Sequence, residues 1–389
     1  MKILRICGSS SLLALVVFAG CDQRVLVGDA DGVGGAPGSQ VSNGSVGGIF
    51  GTGGGAGSGV GGAGGALPPN TLCSPISVTI GQVNLCGHTQ GVAYSPDGTM
   101  LAIGTSSTPR SVQLFSLPDG AHLRDFAGGA QGTYSVAFSP DGKTLAVGGS
   151  APDQGTSNPT SPVAMLYDVA TGALLRSLPT TSGFYVDSVA FSLDGLLLAT
   201  GGYMGAIEVW RVSDGTIVTR IPYMTSVHNV HFAPTSTQLI VGGVDERATI
   251  WNIPAGTLAM TLAGIANEMA DAAFSPDGQR IATTSNTNND LKIWDAASGA
   301  LLQTLSAHTA YVSHVVWIDQ DRFLSDDWSG VVHAWTRSPS NTFTMSGTWS
   351  TGGQGLGMAV SRDKTRFVVG AAAVTASGAR AEGFVFLGL

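Results

Sequence analysis

One short phrase recurs along this chain at intervals of about 43 residues. VAYSPDG at Val92 returns as VAFSPDG at Val136, VAFSLDG at Val189, VHFAPTS at Val230 and AAFSPDG at Ala272. VVWIDQD at Val315 and MAVSRDK at Met358 are worn copies of it. Repetition at such a period means that one small unit stacks against copies of itself, because no single copy can bury its apolar face alone. The apolar residues before the turns are Tyr94, Phe138, Phe191, Phe232, Phe274, Trp317 and Val360, which mark seven copies nearly filling residues 72–389.

Each copy carries the same punctuation. Pro96-Asp97-Gly98 is a tight-turn sequence in which Pro presets φ and Gly supplies the left-handed position. It returns at Pro140-Asp141-Gly142 and Pro276-Asp277-Gly278. A second turn is marked by Gly120, Gly172, Gly215, Gly256 and Gly299, with Asn341 in the sixth copy, the next most tolerant residue there. Between the turns lie runs such as TLAVGG, IEVWRV, ATIWNI and LKIWDA. They are strand-length, rich in β-branched and aromatic residues, and free of helical period. Four strands per copy are expected.

An aromatic closes each third strand: Phe115, Tyr167, Trp210, Trp251, Trp294, Trp335 and Phe386. Trp294-Asp295 is a literal WD pair, and Ala307-His308 is similar to the GH element that precedes a repeat. The array resembles the WD-repeat family, over about 320 residues. That resemblance implies an all-β fold: a seven-bladed β-propeller of four-stranded antiparallel blades. It also implies a His–Asp–Ser/Thr–Trp network in each blade, which reads here as mostly missing. Asp245 stands at its place but Tyr223 fills the matching His position; His308 is in place, but Ser329 fills the matching Asp position. Phe386 lies three residues from the last residue printed, so residues 72–86 are expected to supply the fourth strand of the last blade and remove an exposed edge.

The first 20 residues have the layout of an export signal: Lys2 and Arg5, a compact apolar stretch, then Ala19, Gly20 and Cys21. They resemble a bacterial lipoprotein signal with Cys21 as the lipid-modified residue. The resemblance implies a cell-envelope location, with the acyl chains holding the protein to a lipid membrane and the propeller outside the cytoplasm, in the periplasm or at the cell surface. The domains expected are a signal over 1–20, an anchored segment over 21–27, a Gly-rich tether over 28–66 and the propeller over 67–389. Cys73 and Cys86 form an even pair for an oxidising compartment and can bridge only if the chain between them folds back.

Charged residues are 11% of the chain, against roughly 25% on average, and the net charge is −8, which argues against a nucleic-acid partner. Insertions fall between second and third strands, at 150–162 and within 371–382, and so on one end of the ring. Tyr185, Tyr203, Tyr223, Asp245, Arg247, Tyr311, Asp327, Trp328 and Trp349 are placed on that end as a candidate protein-binding face. No GxSxG or HExxH motif occurs, and the GxGxxG at Gly57, Gly59 and Gly62 lacks a flanking strand and helix. No cofactor or metal ligand set is read. The expectation is a monomeric scaffold without chemistry of its own. The alternatives are a propeller hydrolase or lactonase acting at the central channel mouth, and a surface adhesin.

Overall fold

The computed structural model describes residues 91–388, except 105–110, 118–119, 128–131, 151–161, 182–184, 204, 224, 245–246, 266–269, 286–287, 352–353 and 375–379. Four antiparallel strands in chain order make one blade, as in Val92–Tyr94, Met100–Gly104, Ser111–Ser116 and His122–Ala127. Six such blades follow one another. The last sheet, made of Gln354–Val360, Arg366–Val374 and Arg380–Gly388, has three strands. All-β propeller architecture is therefore as expected, but the count is not: among the described residues six four-stranded blades form, not seven.

Residues 72–86, assigned from sequence to a fourth strand of the last sheet, lie outside the described residues, as do Cys21, Cys73 and Cys86. The ring meets itself through side chains of the last sheet. Each inner strand lies beside the inner strand of the next blade, and Gln354–Val360 lies beside both Val312–Trp317 and Val92–Tyr94. Val368 packs with Leu101, Ile103 and Phe115 of blade one. Arg362 Nη1 donates to the Pro96 carbonyl at 2.9 Å, joining the first and last turns of the ring.

A second expectation also changes. The extra residues after Gly370 were read as loop, yet Ala371 to Val374 continue the strand and pair with Arg380 to Gly383. Small and β-branched residues with no Pro can prolong the ladder, so part of the insertion lengthens the sheet.

The turns hold the blades in register. Ser95 Oγ donates to Asp97 Oδ1 at 2.6 Å, and Asp97 Oδ1 accepts the Thr99 amide at 3.0 Å. Ser139 with Asp141, Ser192 with Asp194, Ser275 with Asp277 and Ser361 with Asp363 repeat the pattern. Asn341, with φ 66°, takes the left-handed position that Gly fills in the other copies. Between blades the contact is apolar: Leu101, Leu145, Leu198, Leu239, Ile281 and Phe323 have no exposed surface. Burying one such side chain is worth about 1.5–3 kcal/mol, more than the ~1 kcal/mol net of a single turn hydrogen bond. The seams between blades therefore dominate stability, and the turns select the register.

All blades run in the same sense. The loops leading into inner strands and the loops after second strands thus share one end of the ring. There, backbone meets backbone closely. A Cβ on Gly243 would lie 2.0 Å from the Ser226 carbonyl oxygen, and one on Gly202 would lie 2.1 Å from that of Tyr185. Gly243→Ala must push the leading loop of blade four away, at a cost of about 1–3 kcal/mol. Differential scanning calorimetry should show a melting temperature several degrees lower; an unchanged melt would mean that the two loops are not in contact.

Candidate binding face and the polar network beneath it

At the loop-bearing end, the residue after a second strand bonds back to the leading loop of its own blade. Tyr203 donates its amide to the Tyr185 carbonyl at 3.3 Å, Val244 to Ser226 at 3.2 Å and Trp328 to Tyr311 at 3.0 Å. In blades three and six both positions are aromatic. The Tyr185 and Tyr203 rings lie 5.8 Å apart, tilted by 41°. Tyr311 and Trp328 meet edge to face at 5.2 Å and 76°. The blade-six pair stands out from the surface, Tyr311 with 45% and Trp328 with 50% of its area exposed.

Tyr134, on the inner strand Thr133–Phe138 of blade two, stacks on Tyr185 at 4.5 Å and was not singled out from sequence. It lies four residues before its anchor Phe138, at the register position that Asp187 holds in blade three. That correspondence was available in the repeat. Burial raises the Tyr185 hydroxyl to about 12, with Asp187, Tyr134 and Tyr203 adding to the shift. Burial also raises Asp187 to about 7. These blade-two and blade-three groups form a half-buried cluster of rings beside one poorly hydrated carboxyl.

Two other residues read as surface, Tyr223 and Trp349, are packed. Tyr223 is buried and packs with Ile207, Ile221 and Val227. Trp349 packs edge-on against Phe367 of the last sheet, at 5.1 Å. Arg247, which begins the third strand Arg247–Asn252 of blade four, is exposed. Asp245 lies outside the described residues.

Asp327 is fully buried, and it overturns the reading that no blade holds a complete polar network. Its Oδ2 lies 2.8 Å from His308 Nδ1. His308 Nε2 lies 2.8 Å from Ser325 Oγ, which accepts the Trp335 indole N–H at 2.9 Å. A carboxylate can only accept, so Nδ1 carries the proton toward Asp327. The sequence reading looked for the acid at position 329. The acid stands two residues earlier, where its Oδ1 also accepts Ser329 and Val331 amides at 2.9 and 3.1 Å. Blades three and five keep only part of this set: Trp210 donates to Thr200 and Trp294 to Thr283, at 3.1 and 3.0 Å.

A further group lies nearer the axis. His314, on the inner strand Val312–Trp317, places Nδ1 2.9 Å from Asp326 Oδ1. His231 Nε2 is 3.9 Å from Asp271 Oδ1. Among the described residues, no group of three or more His, Cys, Asp or Glu side chains is arranged to hold a metal ion.

A ring of antiparallel blades, five of them phased by a Ser–Asp turn, with an aromatic on each third strand, defines a β-propeller repeat protein. The WD domain, G-beta repeat family matches residues 120–153 and 256–295. The chain is 25% identical to nuclear distribution protein nudF of Aspergillus niger, over 39% of this chain and 39% of that protein. It is 30% identical to transducin beta-like protein 3 of Mus musculus, over 38% of this chain and 19% of that one. It is 31% identical to autophagy-related protein 16 of Arabidopsis thaliana, over 30% of this chain and 25% of that one. The matches thus span well under half of each of these relatives. Fold and matches together support a WD-repeat β-propeller.

Burial pulls the Asp327 carboxyl upward, but bonds from His308, Ser329 and Val331 outweigh it and hold it down at about 2. Its contribution to stability is present above the ordinary Asp value and is lost as pH falls through about 2. Asp327→Ala leaves His308 Nδ1 and the Ser329 and Val331 amides without their acceptor, and should cost about 1–3 kcal/mol at neutral pH. Urea melts at pH 7 and pH 3 would check this. The penalty should shrink at pH 3, because below 3.8 the unfolded chain takes up a proton that native Asp327 does not accept until about 2.

Proposed function

We propose that the protein is a lipid-anchored extracytoplasmic scaffold that captures a protein partner on the loop-bearing end of its propeller. The observation carrying the reading is the pairing of aromatics at equivalent loop positions of blades three and six, above all the half-exposed Tyr311 and Trp328. Tyr and Trp are the side chains that concentrate binding energy at protein interfaces, since they offer large rigid contact area with a polar tip. WD-repeat relatives generally act as protein-interaction scaffolds, and the low charge of the chain fits a protein surface better than a nucleic acid. The signal-like start, Cys21 and the Gly-rich segment that follows support the anchor and the location outside the cytoplasm.

A photo-crosslinking amino acid at position 311 should trap a discrete protein adduct in intact cells, and Trp328→Ala should reduce that adduct at least tenfold. Equal adduct yields from a probe on the outer strands would discard this face. Separately, Cys21→Ser should move the protein from the membrane to the soluble fraction. Retention of the variant in membranes would remove the lipid anchor.

A further inference from the structure

At three junctions between inner strands a side chain three residues before the anchor accepts an amide of the next inner strand. Ser135 Oγ accepts the Val189 amide at 3.2 Å, and Ser188 Oγ accepts the Val230 amide at 3.1 Å. At the junction of blades five and six the acceptor is a carboxylate instead. Asp271 Oδ2 accepts the Val315 amide at 2.9 Å, and its Oδ1 accepts the Ala272 amide at 2.8 Å. In blade six the same register position is His314. Its backbone amide and its Nδ1 both lie 2.9 Å from Asp326 Oδ1. An imidazole thus bonds one buried carboxylate, Asp326, and lies within the field of a second, Asp271, their side chains 0% and 7% exposed.

This group underlies the exposed aromatic pair. Tyr311 immediately precedes the strand that carries His314, and Asp326 and Asp327 end the strand Arg322–Asp327 that delivers Trp328. The His314–Asp326 bond therefore ties together the two strand ends that present Tyr311 and Trp328. Building on the scaffold reading above, we propose that the blade-six binding surface is proton-linked: it is held in place while His314 is charged and loosens when His314 loses its proton.

The charges around His314 can be named element by element. The second strand of blade six brings Asp326, and blade five brings Asp271, with His231 of blade four beyond it. The inner strand of the last sheet, Gln354–Val360, carries no ionisable residue, and Val332 lies opposite Asp326 on the third strand. Burial pulls His314 down, but the charge of Asp326, its hydrogen bond and the charge of Asp271 outweigh it and raise the imidazole to about 9. Burial pushes Asp271 up, against the pull of His231 and His314. A His whose value is raised by folding contributes fully below its ordinary value of 6.5, and that contribution is lost as pH rises through about 9. Without the proton, a charge-assisted hydrogen bond is weakened and the buried Asp326 and Asp271 carboxyls lose the charge that offsets their burial.

Hydrogen exchange on the full chain between pH 6 and pH 10 tests this. Protection of Val312–Trp317 and Arg322–Asp327, taken relative to Thr144–Ser150, a strand without an ionisable side chain, should fall about tenfold or more across the range. His314→Gln should show low relative protection at every pH. Flat relative protection in the native chain, or an unaltered pH dependence in His314→Gln, would overturn the proposal. If that variant does not fold, an NMR titration of the native imidazole decides: a midpoint well above 6.5 supports the proposal and an ordinary midpoint defeats it. Crosslinks from position 311 that form equally at pH 7 and pH 10 would defeat proton linkage while leaving partner capture intact. Absence of crosslinks with a titrating junction would instead remove the partner.

Discussion

Apolar contact between the flat faces of neighbouring blades is the constraint on which the rest of this molecule depends. A four-stranded sheet has two faces and no interior. Each blade here buries one face on its predecessor and one on its successor, through side chains such as Leu198, Leu239 and Phe323. No blade is therefore stable by itself, and the ring has to be assembled around an axis. Hydrogen bonds at the turns and at the inner junctions then choose one register among those that packing would tolerate.

That division of labour explains what could be read from the chain. The Ser–Asp turns and third-strand aromatics are local signals with fixed spacing, and the strands fell where that spacing put them. The number of complete blades was not local. It required residues 72–86 to take a place that only the assembled ring defines. The added length after Gly370 was ambiguous for a similar reason, since alanines and valines serve a loop or a strand equally well until a partner strand is present.

The candidate site was legible in part. Tyr185, Tyr203, Tyr311 and Trp328 occupy loop positions set by the repeat, so counting from the anchors located them. Tyr223, Asp327 and Trp349 carry side chains of the same types but face inward, and residue type does not reveal direction. The His308 network was missed because the acid was sought two residues too late. The Asp271, His314 and Asp326 cluster was half legible: Asp271 and His314 hold one register position in consecutive repeats, but only the strand ladder sets Asp326 opposite His314.

The bond from Arg362 to Pro96 joins residues 266 positions apart. During synthesis, the apolar side of blade one, with Leu101, Ile103 and Phe115, must wait for Val368 before it is covered. The nascent chain therefore carries an unfinished surface for nearly its whole passage through the ribosome, and any chaperone it needs should recognise that first blade.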